Sequence, residues 1–200
     1  MRNSLIVMVK LPRPGRVKTR LAPALGTTGA AWWYRHQCAA LLRRLEDPRW
    51  DLILAVAPDA EGMTARAWPA HLSRMPQGPG DLGQRMRRLL RIAPAGKVLL
   101  VGSDIPALGR AQVARAFAAL GAADAVIGPA RDGGYWGVGL KRRQAVTPRL
   151  FDGVRWSGPH ARADTLAGMR GLRVALVDML DDVDEPADLA AVPRSDRARR

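Results

Sequence analysis

Short aliphatic runs alternate along this chain with longer segments of helical period. Leu5–Val9, Leu52–Ala57, Leu72–Met75, Val98–Val101, Ala125–Ile127, Tyr135–Leu140 and Leu172–Val177 are rich in β-branched and aliphatic residues, as buried strands are. Between them, Thr28–Leu45 sets Ala31, Tyr34, Cys38, Leu41, Leu42 and Leu45 on one face, which predicts a long amphipathic helix. Asp81–Ile92, Arg110–Leu120 and Pro159–Arg170 predict further helices, and Glu185–Ala190 a short one. Strands alternating with helices imply βαβ units. The expected fold class is therefore α/β, a single three-layer α/β/α sandwich on a mainly parallel, mixed sheet. No repeat or low-complexity linker divides the chain. Residues 1–193 are expected to form one domain and residues 194–200 a basic, frayed tail.

Composition narrows the class. At 200 residues and 48% hydrophobic content the chain can bury the core of one domain. No apolar run approaches the roughly 18 residues of a membrane helix. The opening apolar stretch is too short, and lacks the cleavage site, for a secretory signal. A cytoplasmic protein without membrane contact is expected. The single Cys38 excludes an internal disulfide and a cysteine metal cluster; on its helical stripe it reads as a small buried hydrophobe. The net charge is +14, but only Lys10, Lys18, Lys97 and Lys141 among the 32 basic residues are lysines. The arginines are scattered except in Arg194–Arg200, so the charge reflects composition bias as much as a binding face. It favours an anionic ligand, while nucleic acid is disfavoured; a basic nucleic-acid-binding module is the alternative from another class.

Candidate chemistry lies in four loops that each follow a strand-like run, which places them at one edge of the sheet. Lys10–Leu21 has Gly15 for a turn, two prolines that stiffen it, and Lys18, Thr19 and Arg20 as successive donors. With Lys10 it can hold a di- or triphosphate. It is neither a Walker motif nor a Gly-x-Gly-x-x-Gly fingerprint. Asp104 in Gly102-Ser-Asp-Ile-Pro106 either ligates a hard divalent cation, Mg²⁺ or Mn²⁺, or caps the following turn. Asp182 and Asp184 alternate in an acidic segment and face one way if it is extended. They either complete a metal site with Asp104 or, for Asp184 and Glu185, begin a helix at Pro186.

Gly128–Leu140 sets Asp132 beside Gly133, Gly134, Tyr135 and Trp136. It reads as an acceptor site with flat apolar walls and a carboxylate for a hydroxyl, or as a tight hairpin with a solvated acid. Gly80 and Asp81 begin a helix where close backbone approach suits a nucleobase or ribose, unless Asp81 is simply its cap. His160, near Trp156, is a candidate for the acceptor side. His36 and His71 have no metal-ligand spacing, and no Ser/His/Asp nucleophile elbow is visible.

Taken in order, five motifs resemble a bacterial family of GT-A-like glycosyltransferases, often of unknown function or described as arsenosugar-type or radical-SAM-associated. They are Lys-x-Pro-x-Pro-Gly-x-Val-Lys-Thr-Arg-Leu, Gly-Asp-Leu-Gly-Gln-Arg-Met, Gly-Ser-Asp-Ile-Pro, Gly-Pro-Ala-x-Asp-Gly-Gly-Tyr and Asp-Val-Asp-x-Pro-x-Asp-Leu. That family is similar to nucleotide-diphospho-sugar transferases and to the guanylyltransferases of phospholactate and molybdenum cofactor. The resemblance implies a divalent metal at Asp104, phosphates at Lys18 and Arg20, a nucleoside near Gly80 and Asp81, and an acceptor along Asp132, Tyr135 and Trp136. Trp136 stands where the family often has another aromatic such as Tyr, which points to a different acceptor shape.

The leading expectation is a metal-dependent transferase using a nucleotide-diphospho-sugar and a small-molecule acceptor. Lys18 and Arg20 would hold the leaving diphosphate, and Asp132 would orient or deprotonate the acceptor. The alternative is a guanylyltransferase-like enzyme that joins a nucleoside triphosphate to a phosphorylated small molecule and releases pyrophosphate.

Overall fold

Seven strands form one sheet in the order β3-β2-β1-β4-β6-β5-β7. In this computed structural model, which describes residues 2–142 and 146–191, they are β1 (Asn3–Lys10), β2 (Trp50–Ala57), β3 (Ser73–Pro76), β4 (Gly96–Val101), β5 (Ala125–Pro129), β6 (Tyr135–Arg142) and β7 (Val174–Leu176). Only β6 runs against its neighbours, β4 and β5; the other pairs are parallel. Among the described residues the α-helices are α1 (Ala22–Leu45), α2 (Asp59–Thr64), α3 (Leu82–Ile92), α4 (Arg110–Ala122) and α5 (Ala161–Gly168).

The inner strands β1, β2, β4, β5 and β6 read as largely apolar runs because both faces of the sheet are covered there, whereas the edge strands β3, with Ser73 and Arg74, and β7 are partly exposed. Leu5, Val7 and Val9 turn to one face with Leu54, Val56, Leu99 and Val101, under Tyr34, Cys38 and Leu41 of α1 and Phe117 of α4. Ile6, Ile53, Ala55, Val98 and Leu100 turn to the other, under Met86, Leu89 and Leu90 of α3 and Phe151 and Ala161. Each fully buried leucine contributes about 2 kcal/mol. This is the three-layer sandwich that the alternation predicts. Cys38 is fully buried, and burial pushes its thiol up to about 12, so it is a packing residue.

Three elements differ from expectation. Helix α1 starts at Ala22, and Gly26, at φ 70° and ψ 162°, breaks it. The helix expected from Thr28 is the part beyond that break, with Pro23 and Gly26 disguising the first turn. Helix α2 is six residues long, too short to show a period. The helix expected at Glu185–Ala190 is a 3₁₀ turn at Pro186–Ala191. The tail at 194–200 lies outside the described residues.

Strand direction decides where the loops go. The carboxyl ends of β1, β2, β3 and β4 share an edge, and Val101 pairs with Gly137, so antiparallel β6 starts there. β5 and β7 end there too. The chain leaves β1 toward β2 on one side and reaches β4 on the other, so the candidate loops surround a topological switch point. Among the described residues, no helix is long and apolar enough to cross a membrane.

Candidate active site

A cleft of about 750 Å³ opens at this edge. Its floor is tied together by Tyr34, whose hydroxyl accepts from the Lys10 backbone N–H at 3.0 Å and bonds Ser103 Oγ at 2.8 Å. This joins α1 to the ends of β1 and β4. Gln77, also buried, donates from Nε2 to the carbonyls of Val9 and Ala55 at 3.0 and 2.8 Å.

The first loop is shaped by what it buries. Val17 and Leu21 are anchored in the core. Lys18 between them takes a left-handed conformation, φ 46° and ψ 45°, which a lysine adopts only where its surroundings impose it. That conformation aims its side chain inward, where it is 6% exposed. Nζ donates to Asp104 Oδ2 and to Asp184 Oδ1, both at 2.6 Å. Burial opposes the charge, but Asp104 and then Asp184 outweigh it and hold the ammonium above the ordinary lysine range. Arg20 reaches Asp184 at 3.4 Å from a more exposed position.

The acidic segment arrives by backbone pairing. The Val183 N–H donates to the Asp104 carbonyl at 3.1 Å, and the Val183 side chain is buried with Leu21 and Ala30. With Val183 turned inward, Asp182 and Asp184 both face the cleft. Carboxylate oxygens of Asp104, Asp182 and Asp184 all lie within 4.8 Å of one another. An all-oxygen set of three carboxylates suits Mg²⁺ or Mn²⁺ rather than a soft ion. Two other acids of the segment have structural tasks. Asp188 accepts from the N–H groups of Asp184 and Glu185, and Asp181 pairs with Arg131.

Crowding has an energetic consequence. Burial first, then the Asp104 and Asp184 charges, push the Asp182 carboxyl up to about 6, against the pull of Lys18. The folded chain holds this proton more tightly than the unfolded chain. The group's contribution to stability is therefore full below the ordinary value of about 3.9 and lost as pH rises through about 6. Asp182→Asn removes the penalty. At pH 7.5 it is expected to stabilise the metal-free protein by about 1 kcal/mol, allowing for solvent screening of a half-buried group. That corresponds to about 2–4 °C in thermal midpoint, with no gain at pH 4. An equal gain at both pH values in a thermal melt would assign the effect to packing instead of charge.

The acceptor half is less uniform. Asp132, Gly134, Tyr135, Trp136 and Trp156 all line the cleft. Asp132 Oδ1 accepts from the Gly134 N–H at 2.8 Å. Tyr135 and Trp156 meet edge to face at 6.4 Å. Trp136 is 4% exposed. Its ring lies over Gly128, where an added Cβ would collide with the indole, and Nε1 donates to the Asp178 carbonyl at 2.8 Å. Most of this side chain therefore belongs to the core.

Gly133 and His160 do not line the cleft, and neither does Gly15, which makes its turn at φ 71° outside it. His160 precedes α5. Gly133, at φ 86°, packs so tightly that an added Cβ would run into the backbone of Pro159. Gly133→Ala is expected to cost about 2–4 kcal/mol, since both the left-handed backbone and the contact resist it; urea denaturation would measure this.

Lys10, Thr19, Gly80 and Asp81 line the cleft as well. Asp81 also caps α3, accepting from the Gln84 N–H at 2.8 Å, while Gln84 Oε1 accepts from the Asp81 N–H. The polar lining residues that the sequence did not single out include Arg16, Gln77, Arg85 and Ser103. Arg85 had a detectable signal, for it lies one helical turn beyond Asp81 and so shares its face.

The fold and this cleft define an α/β domain of the nucleotide-diphospho-sugar transferase type. The chain belongs to a family described as an uncharacterized protein conserved in bacteria (DUF2064), whose model matches residues 40–158. A solved structure of a candidate nucleotide-diphospho-sugar transferase from Desulfovibrio desulfuricans G20 is 35% identical, with a TM-score of 0.87, over 100% of this chain and 90% of that one. A 2-phospho-L-lactate guanylyltransferase from Methanopyrus kandleri is 39% identical over 99 residues, 48% of this chain and 50% of the relative. The chain thus spans about half the length of that curated relative. The 2-C-methyl-D-erythritol 4-phosphate cytidylyltransferase of Thermus thermophilus shares the fold, at 20% identity and a TM-score of 0.53, over 99% of this chain and 100% of that one.

Proposed function

We propose that this protein is a metal-dependent transferase acting on a nucleotide-activated donor. The observation that carries the reading is the meeting of Asp104, Asp182 and Asp184 within 4.8 Å beside the buried Lys18. Asp104 and Asp184, with Asp182, would hold Mg²⁺ or Mn²⁺, which when bound neutralises charge on phosphate oxygens. Lys18 and Arg20 supply further positive charge where the leaving phosphate gains negative charge. Gly80 and the start of α3 border the nucleoside. Tyr135 and Trp156 wall the acceptor, and Asp132 is the carboxylate within reach of an acceptor hydroxyl.

A nucleotide sugar is the donor that the loop motifs favour. Nucleotidyl transfer is the second reading, supported by the guanylyltransferase relative, and would use the same phosphate-binding end. A thermal-shift panel of UDP-, GDP-, ADP- and CDP-sugars and matching triphosphates, with and without Mn²⁺, tests both. Metal-dependent stabilisation by one diphosphate sugar supports glycosyl transfer. Stabilisation by a triphosphate, with pyrophosphate released in the presence of a phosphorylated acceptor, supports nucleotidyl transfer. No metal-dependent response to any nucleotide would sink the reading. Binding of nucleic acid with a steep salt slope would replace it with a charge-driven module.

A further inference from the structure

Charge divides the cleft into two walls. Its cations come from the end of β1, the loop after it and α3, namely Lys10, Arg16, Lys18, Arg20 and Arg85. The opposite wall is built by β6, the turn before it and the segment leading into α5. Among the described residues it brings the Asp132 carboxylate and no cation. Arginines are present in this part of the chain, but they are turned elsewhere. Arg131 pairs with Asp181 at 3.3 Å and Arg155 with Asp164 at 2.9 Å, while Arg162 Nη1 donates to the Ala130 carbonyl at 3.2 Å. None of the three lines the cleft, and neither does His160. In a chain of net charge +14, a wall kept clear of cations is a specific feature.

The same wall is apolar and firmly held. Trp156 packs against Tyr135 on one side and Phe151 on another, with ring centroids 6.4 and 6.3 Å away. It also leans on the first turn of α3, where an added Cβ on Gly83 would lie 2.9 Å from Phe151 Cβ and 3.0 Å from the indole. Glycine there permits an approach that a side chain would block. Leu82 beside it lines the cleft yet is 45% exposed, and Met86 and Val138 continue the apolar lining. An apolar body seated here would cover that surface, and rings already fixed in place lose little freedom on contact. A phosphate would instead meet the Asp132 carboxylate with no cation beside it, and would give up its hydration to apolar side chains. We propose that the acceptor is a non-anionic alcohol with a flat apolar body, an aryl or alicyclic ring held against Tyr135, Trp156 and Leu82 with its hydroxyl toward Asp132. The inference rests on the transferase reading above and narrows its acceptor. It favours glycosyl transfer, because the phosphorylated acceptor of the second reading finds no cation on this wall.

Calorimetry of the full chain, with Mg²⁺ and pyrophosphate present to occupy the phosphate-binding end, tests this with three probes. They are 4-nitrophenyl β-D-glucoside, its 6-phosphate and methyl β-D-glucoside. The aryl glucoside is expected to bind about tenfold more tightly than either of the others. Trp156→Ala should weaken it about tenfold, and Trp156→Phe, which keeps a ring, should restore part of the loss. A melting profile of Trp156→Phe close to that of the unmodified protein confirms folding. Asp132→Asn keeps an oxygen for the Gly134 N–H and removes the charge. It should bring the 6-phosphate to within about threefold of the aryl glucoside while methyl glucoside stays weak. The inference is overturned if the 6-phosphate binds the unmodified protein as tightly as the aryl glucoside, or if the aryl glucoside shows no binding at about 10 mM. It is equally overturned if Trp156→Ala leaves the advantage over methyl glucoside intact, or if Asp132→Asn leaves the 6-phosphate as weak as before. The broader reading fails separately: metal-dependent pyrophosphate binding that survives in Asp104→Asn would remove the triad assignment, whichever probe the opposite wall prefers.

Discussion

Asp104→Asn is expected to lower metal-dependent nucleotide affinity by about 100-fold or more, the largest single effect foreseen here. A divalent ion on phosphate oxygens is worth several kcal/mol, and about 2.7 kcal/mol is already 100-fold. Asp104 is central in two ways. It contributes one of the three converging carboxylates, and its own backbone carbonyl pairs with Val183 to bring in the other two. Asparagine preserves the shape and leaves the Val183 pairing intact, so the change reports charge and ligand quality alone. It also leaves Lys18 with Asp184 as its remaining carboxylate partner. Calorimetry with Mn²⁺ plus the responding nucleotide would measure the loss. Affinity within about threefold of the unmodified protein would show that the triad does not hold the ion.

Lys18→Met is expected to act in opposite directions on two measurements. Transfer should fall by about 100-fold, because a buried positive charge beside the leaving group is gone. Mn²⁺ binding to the nucleotide-free protein should instead strengthen, by about tenfold. Nζ lies 2.6 Å from an oxygen of Asp104 and 2.6 Å from an oxygen of Asp184, so the ammonium uses carboxylates that an ion at the triad needs. Methionine keeps the length of the apolar stem and removes the competing cation. The three carboxylates then face one another with less compensation, so the variant's melting point should drop and recover when Mn²⁺ is added. If Mn²⁺ bound more weakly to Lys18→Met, lysine and ion would not be competing for these oxygens.

Much of the fold was legible because it is local. The inner strands were visible as aliphatic runs, since a strand buried on both faces tolerates few polar residues; the edge strands β3 and β7, partly exposed, carried a weaker signal. The long helix was visible from Ala31 to Leu45, since one face must be apolar. The pieces that escaped, α2 and the first turn of α1, are too short or too broken by Pro23 and Gly26 to carry a period. The site divides in the same way. The alternation of Asp182 and Asp184 about Val183 is a sequence property, and their facing one way followed from it. The uneven acceptor motif is the counterexample. Side by side in the chain, Tyr135 and Trp136 point to opposite faces of β6. Tyr135 packs toward Trp156 and Trp136 toward the α1/α4 core.

The sequence by itself determined which residue types sit at the ends of the strands, and with them the oxygen-rich, phosphate-compatible chemistry of this chain. Only the tertiary structure decided which of those residues meet. Lys18 and Asp184 are 166 positions apart, and their contact depends on β1 and β4 being neighbours, on Val183 pairing with Asp104, and on a left-handed backbone at Lys18. The physical reason is that hydrophobic periodicity records only how one segment meets the core. The charge balance of a cleft is a sum over segments that the fold alone brings within reach of each other.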